Sequence, residues 1–131
     1  MFKHILFPTD GSANADVAAQ SAMRFAKSVG ARVTAVHVVP AACEPSEPLA
    51  ESGAKYLLSV QHAAAEQGFS CDVQLAKGDD VAQTILQTAF DRQCDLLALS
   101  SRGLGSAAQA PPGSATLRML MLSQIPVLVF R

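Results

Sequence analysis

The chain has 131 residues, of which 50% are hydrophobic, 16% are charged and 5% are aromatic, and its formal net charge is -1. This length predicts one domain over residues 1–131, and the near-neutral charge argues against partners such as nucleic acid or an anionic membrane surface. No apolar run approaches the roughly 18–20 residues of a membrane span. Three widely spaced cysteines favour reduced thiols over a disulfide framework or a metal site, with Cys71 and Cys94 buried and Cys43 exposed. We therefore expect a cytoplasmic protein.

Strand-like and helix-like apolar patterns alternate along the chain. Short apolar or β-branched runs predict five strands, at residues 4–8, 32–39, 70–76, 95–99 and 126–130. Apolar residues at helical spacing predict four helices, over residues 15–29, 49–64, 81–90 and 114–123. Residues 41–48 and 100–112 are predicted to be loops. This alternation predicts an α/β fold, a doubly wound parallel sheet with helices on both faces.

The turn after the first strand is a candidate ligand site, because ligands of open parallel sheets bind beyond the carboxyl ends of the strands. Asp10 can accept hydrogen bonds from a ligand's amino or hydroxyl group, and Gly11 permits a tight turn. The alternative is that Asp10 and Ser12 cap the following helix. The residues alone leave both interpretations open.

The segment after the fourth strand is a second candidate. Backbone N–H groups at Gly103, and at a helix that begins near Ser114, can hold phosphate oxygens. Gly103 and Gly105 lack the third glycine of a dinucleotide fingerprint, and no Gly-Lys-Ser/Thr sequence marks a P-loop. The alternative is an ordinary surface loop.

Together, these segments resemble the universal stress protein family. The resemblance rests on the sequences ILFPTDGS at residues 5–12, VHVV at residues 36–39 and PVLVF at residues 126–130. The nucleotide-binding branch of that family carries a glycine, two residues, a second glycine, nine residues and then Gly-Ser or Gly-Thr. Here Gly103 is followed by nine residues and by Gly113 and Ser114, whereas Ser100 replaces the first glycine.

The resemblance implies a five-stranded sheet of order 3-2-1-4-5 that binds an adenine nucleotide (ATP, ADP or AMP), with or without Mg²⁺. It implies a regulatory stress-response protein with no catalytic residues, which forms a homodimer through its last strand, Val127 to Phe130. The nucleotide-binding positions that it implies are Pro8, Thr9, Asp10, Val38, Leu99, Ser100, Arg102, Gly103, Gly113, Ser114 and Ala115.

The chain departs from the family pattern where phosphates would bind. Relatives usually carry Arg or Lys between the second and third glycines, whereas residues 104–112 are neutral here and end in Pro111 and Pro112. Arg102, where the family often has His, and Arg118 are the nearby cations. We therefore expect AMP or ADP rather than ATP.

Two other functions stay open. One is a dimeric interaction module of the same fold that binds no nucleotide and acts on unknown protein partners, and the other is a slow ATP hydrolase. No general base is evident near the predicted phosphate loop, which argues against the hydrolase.

The remaining polar residues have structural interpretations. His37 lies among valines and is predicted to be a packed, hydrogen-bonded core residue, whereas His4 and His62 are predicted to lie on the surface. Asp79 and Asp80 are predicted to stabilise the start of the third helix rather than to bind a metal.

Overall fold

A computed structural model describes residues 1–101 and 114–131 of the chain. The elements follow the predicted alternation of strands and helices. In chain order they are β1 (His4–Pro8), α1 (Ala13–Val29), β2 (Arg32–Val39), α2 (Pro48–Glu66), β3 (Asp72–Lys77), α3 (Val81–Asp91), β4 (Leu96–Ser100), α4 (Ser114–Leu122) and β5 (Val127–Phe130).

The five strands form one parallel sheet of order β3-β2-β1-β4-β5. Ile5 of the central strand β1 is in register with Val33 of β2 on one side and with Leu96 of β4 on the other. The strand order reverses between β1 and β4, and such a switch point opens a crevice for ligands at the carboxyl ends of the strands. The predicted fold class and strand order are confirmed.

Alternate residues of β1 face two different hydrophobic layers. Ile5 and Phe7 pack with residues of α1 and α2, whereas Leu6 packs with Ile85 of α3 and Met119 of α4. This alternation follows from the period of two along a strand. Because both layers are built on a fully buried central strand, helices cover both faces of the sheet, as predicted.

Several element boundaries differ from prediction by a few residues. The helix α2 begins one residue earlier than predicted, at Pro48, because proline fits the first helical position, where no intrahelical N–H bond is lost. The strand β3 runs two residues later than predicted at its start, from Asp72. The end of α1 is as predicted, since Gly30 takes the left-handed conformation (φ 73°) and its N–H reaches the carbonyls of the last turn.

The prediction that His4 lies on the surface is wrong. Its side chain is 5% exposed, with Nε2 2.7 Å from Thr34 Oγ1 and Nδ1 3.1 Å from the Arg92 carbonyl oxygen. These partners come from β2 and from the α3–β4 turn. The hydrogen bonds that offset the cost of burying this polar ring therefore form only in the tertiary fold. Burial, together with the nearby Arg32 guanidinium, lowers the pKa of His4 below 6.5.

This lowered pKa makes a testable contribution to the pH dependence of stability. In the window from about pH 6.5 down to pH 5, unfolded His4 binds a proton more readily than folded His4, so the free energy of unfolding is expected to fall as the pH falls. Urea denaturation across this range measures the slope, which the substitution His4→Gln is expected to flatten. The exposed His62 is the matched control. A slope that survives His4→Gln and disappears with His62→Gln would contradict this assignment.

The prediction that Cys43 is exposed is also wrong. Cys43 is 3% exposed and packs with Val39 and Ala50 in a small cluster where the loop folds against α2. The buried positions of Cys71 and Cys94 are confirmed. Across the described ranges, no helix has the length and apolar character to cross a membrane.

Candidate functional site

The turn between β1 and α1 is held by its own side chains. Ser12 caps α1, since its Oγ accepts a hydrogen bond from the Ala15 N–H (3.1 Å). Within the turn itself, Asp10 Oδ1 accepts a hydrogen bond from the Ser12 N–H (2.9 Å) and Thr9 Oγ1 accepts one from the Gly11 N–H (3.1 Å). The capping prediction is therefore confirmed for Ser12, whereas the Asp10 carboxylate shapes the turn that precedes the helix.

A cavity of about 200 Å³ lies at the carboxyl ends of β1 and β2. The start of α3 and the first turn of α4 close it on the other side. Most of its walls are apolar, and its lining residues are Pro8, Thr9, Asp10, Val36, His37, Val38, Val81, Ile85 and Ala115. Its position is the crevice that the strand order predicts for a ligand.

The structure brings together five of the predicted site residues. Pro8, Thr9, Asp10, Val38 and Ala115 all line the cavity, although they come from three separate parts of the chain.

The other predicted site residues lie elsewhere or are not described. Leu99 and Ser100 are buried at the end of β4 and are not among the lining residues. Ser114 is the first residue of α4. The predictions for Arg102, Gly103 and Gly113 fall outside the described residues.

Four lining residues were missing from the sequence prediction: Val36, His37, Val81 and Ile85. A signal for the last two was present, because residues four apart on a predicted helix share a face. The sequence predicts that His37 is a packed core residue with a hydrogen bond, but its side chain is only half-buried. That bond exists, since Nδ1 lies 2.8 Å from the Thr9 carbonyl oxygen and must therefore donate to it.

His37 links the cavity to α2. Its ring meets the Tyr56 ring edge-on, with 5.2 Å between the centroids. Two glycines allow this approach: a Cβ at Gly53 would lie 2.7 Å from His37 Cδ2, and a Cβ at Gly11 would collide with the Tyr56 ring. The bond to Thr9 and these close contacts hold the end of β1, the end of β2 and α2 in one fixed arrangement.

An ion pair joins the two helices beside the cavity. Arg118 Nη1 of α4 donates to Asp80 Oδ1 at 2.6 Å, and the same oxygen accepts from the Gln83 N–H (3.2 Å) as the cap of α3. The Arg118 hydrogen bond, with help from that N–H, lowers the pKa of the Asp80 carboxyl. The predicted helix-start role of Asp80 is confirmed, and the guanidinium of Arg118 is already engaged by a carboxylate.

Thiol and metal chemistry are not built into the described part of the site. Burial raises the pKa of the Cys71 and Cys94 thiols to about 11, so both are protonated at neutral pH. Within residues 1–101 and 114–131, no three His, Cys, Asp or Glu side chains come together as a metal site would require.

A second, larger depression lies away from these residues. This groove, of about 530 Å³, runs between the end of α3 and the α4–β5 turn and is lined by Leu86, Phe90, Leu122 and Ile125 among others. None of the predicted site residues that the structure describes lines it. The smaller cavity is therefore the candidate site, because it combines the topological switch point with the fixed β1–α1 turn.

Comparison with known proteins supports one family throughout. A sequence model of the universal stress protein family matches residues 1–131. A universal stress protein of Thermus aquaticus is 32% identical to the chain over 138 residues, covering 100% of both proteins. A universal stress protein of Methanocaldococcus jannaschii is 30% identical over 142 residues, covering 100% of this chain and 83% of that relative.

Solved structures share the fold at lower identity. UspA from Lactobacillus plantarum matches with a TM-score of 0.82 at 24% identity, covering 99% of this chain and 98% of that one. A universal stress protein in complex with cAMP matches with a TM-score of 0.80 at 18% identity, covering 99% and 97%. The universal stress protein from Archaeoglobus fulgidus in complex with dAMP matches with a TM-score of 0.77 at 18% identity, covering 100% and 98%.

Proposed function

The chain belongs to the universal stress protein family, and from that premise we propose that it binds an adenine nucleotide in the cavity at the carboxyl ends of β1 and β2. We propose that residues 1–131 act as one domain in a cytoplasmic stress-response or regulatory role. The observation that carries the proposal is the convergence of Pro8, Thr9, Asp10, Val38 and Ala115 on one cavity. Structural neighbours in complex with cAMP and dAMP support the choice of an adenine ligand.

The size and lining of the cavity suit the base. Its volume of about 200 Å³ is below the roughly 300–1,000 Å³ of pockets that enclose a whole ligand. Val36, Val38 and Ile85 offer apolar surface to a flat ring, and the backbone of Val38 can meet the base edge. The ribose and phosphates would then extend toward the amino-terminal end of α4.

Phosphate binding would depend on backbone groups more than on side-chain cations. The helix α4 begins at Ser114, and the N–H groups and dipole of a helix amino terminus favour anions. Arg118 is held by Asp80. Binding by backbone N–H groups, with Arg118 engaged by Asp80, favours the smaller phosphate charge of AMP or ADP over that of ATP. Where Mg²⁺ accompanies the nucleotide, we propose that the phosphates carry it, since the described residues offer no cluster of three metal ligands.

We propose binding without turnover. The titratable side chains that line the cavity already have structural roles: Asp10 accepts from the Ser12 N–H, and His37 donates to the Thr9 carbonyl. We propose that neither acts as a general base toward a phosphate at the start of α4. Phosphate release from ATP by purified protein, lost on blocking the cavity, would contradict this part of the proposal.

We also propose a homodimer formed through β5. This strand is the last in the sheet order, its residues Val127–Phe130 are only half-buried, and within the described residues it pairs with β4 alone. Such apolar edges pair readily with another strand. Sedimentation velocity that finds only the 13.7 kDa monomer would contradict it.

Blocking the cavity tests the proposed nucleotide site. Ala115→Leu places a larger side chain in the cavity from the first turn of α4, so the dissociation constant for AMP, measured by isothermal titration calorimetry, is expected to rise about tenfold or more. Ala65→Leu makes the same change on the exposed surface of α2 and is expected to leave the affinity unchanged. Equal AMP affinity of the two variants would show that the nucleotide binds outside this cavity. Absence of binding to the unaltered protein at millimolar AMP, ADP and ATP would favour the interaction module.

A further inference from the structure

The Asp80–Arg118 ion pair stands next to the cavity on both of the helices that close it. Asp80 immediately precedes Val81, a lining residue at the start of α3. Arg118 follows the lining residue Ala115 by about one helical turn, and residues at that spacing lie on neighbouring parts of a helix surface. Neither side chain of the pair lines the cavity itself, but the pair joins α3 and α4 close in sequence to the residues that do.

The direction of helical side chains gives Arg118 a second possible partner. Side chains on a helix lean toward its amino terminus, so the Arg118 guanidinium, when released, can reach back toward the start of α4. That is where the proposed site places the phosphates. Asp80 draws the guanidinium across to α3 instead, with 2.6 Å between Nη1 and Oδ1.

We infer that Asp80 is a specificity-determining residue: by holding Arg118, it keeps a cation away from the phosphates and favours adenosine over ATP. The inference rests on the proposed nucleotide site. Both side chains are 46% exposed, and pairs this exposed are weak, so the bias in favour of the less charged ligands amounts to about two- to fivefold.

The substitution Asp80→Asn tests the inference while keeping the cap of α3. The Asn side-chain oxygen can still accept from the Gln83 N–H, and Asn is as good a capping residue as Asp. In calorimetric titrations at low salt, the affinity for ATP is expected to rise about two- to fivefold, whereas the affinity for adenosine stays the same.

Asp79→Asn is the matched control for charge. Asp79 is the neighbouring carboxylate, but it accepts from the Ala41 N–H (3.1 Å) and belongs to no ion pair with Arg118. Its substitution changes the net charge equally and is expected to leave the ATP-to-adenosine affinity ratio unchanged. An equal rise in ATP affinity with Asp79→Asn would overturn the inference, because it would indicate a general charge effect.

The double variant Asp80→Asn/Arg118→Gln tests whether the rise in ATP affinity comes from the Arg118 guanidinium. We expect it to return the affinity ratio to that of the unaltered protein, since the released cation is gone. If the double variant keeps the whole gain, repulsion by Asp80 is the cause and the inference is overturned. An unchanged ratio in Asp80→Asn, with both ligands still bound, also overturns it. If neither ligand binds the unaltered protein, the proposed function itself fails.

Discussion

Replacing Gly11 with Ala is expected to lower the free energy of unfolding by about 2–5 kcal/mol and to weaken AMP binding. Gly11 has φ 78°, a left-handed conformation that costs a residue with a Cβ about 1–2 kcal/mol. The new methyl group would also collide with the Tyr56 ring, and overpacking typically costs about 1–3 kcal/mol. Because Thr9 and Asp10 belong to the same turn and line the cavity, relief of this collision would displace the candidate site. Urea denaturation and calorimetry measure the two effects.

Gly30→Ala separates strain from collision. Gly30 has a similar φ of 73°, but a Cβ there meets nothing within 4 Å. It is expected to cost only the conformational penalty of about 1–2 kcal/mol and to leave AMP affinity unchanged. Equal losses of stability for the two variants, with AMP binding intact in both, would show that Tyr56 does not pack against the turn as described.

Replacing Phe7 with Ala is expected to lower the free energy of unfolding by about 3–5 kcal/mol, the usual cost of removing a fully buried aromatic side chain. Phe7 packs in the layer formed with α1 and α2 and is not among the residues that line the cavity. We therefore expect the AMP affinity of the folded variant to stay within about twofold of the original. Denaturation and calorimetry at a temperature where the variant is folded measure both quantities.

Leu58→Ala is the control for a helix-surface position, since Leu58 is 51% exposed, and it is expected to cost less than about 1 kcal/mol. If Phe7→Ala abolished AMP binding in a protein that circular dichroism shows to be folded, the two layers would not be independent. The site would then depend on the opposite side of the sheet.

The sheet could be predicted because its strands are unbroken apolar or β-branched runs between turn residues. The strand β1 coincides with the predicted residues 4–8, and β2 coincides with residues 32–39. A parallel sheet buried on both faces requires such runs, so the apolar residues of each segment are enough to indicate a strand. The start of α2 at Pro48 was missed because proline is both a loop residue and a favourable first helical residue.

Contacts between distant segments could not be predicted. His4 is a polar residue, and only its approach to Thr34 and Arg92 makes its burial favourable. Arg118 was identified as a cation near the phosphate loop, but its pairing with Asp80 depends on how α3 and α4 pack. The family resemblance predicts site residues at the carboxyl end of β1, where the cavity lies, whereas the packing of His37 against Tyr56 and Gly53 required the tertiary structure.

The central claim is that an adenine nucleotide occupies the cavity, and amide chemical-shift mapping by NMR tests it most directly. Titration with AMP is expected to move the backbone amide signals of Thr9, Val38, Val81 and Ala115, which line the cavity from four elements or turns. Signals of the groove lined by Phe90 and Leu122 are expected to stay fixed. Shifts confined to that groove, or no shifts at millimolar AMP, would contradict the claim.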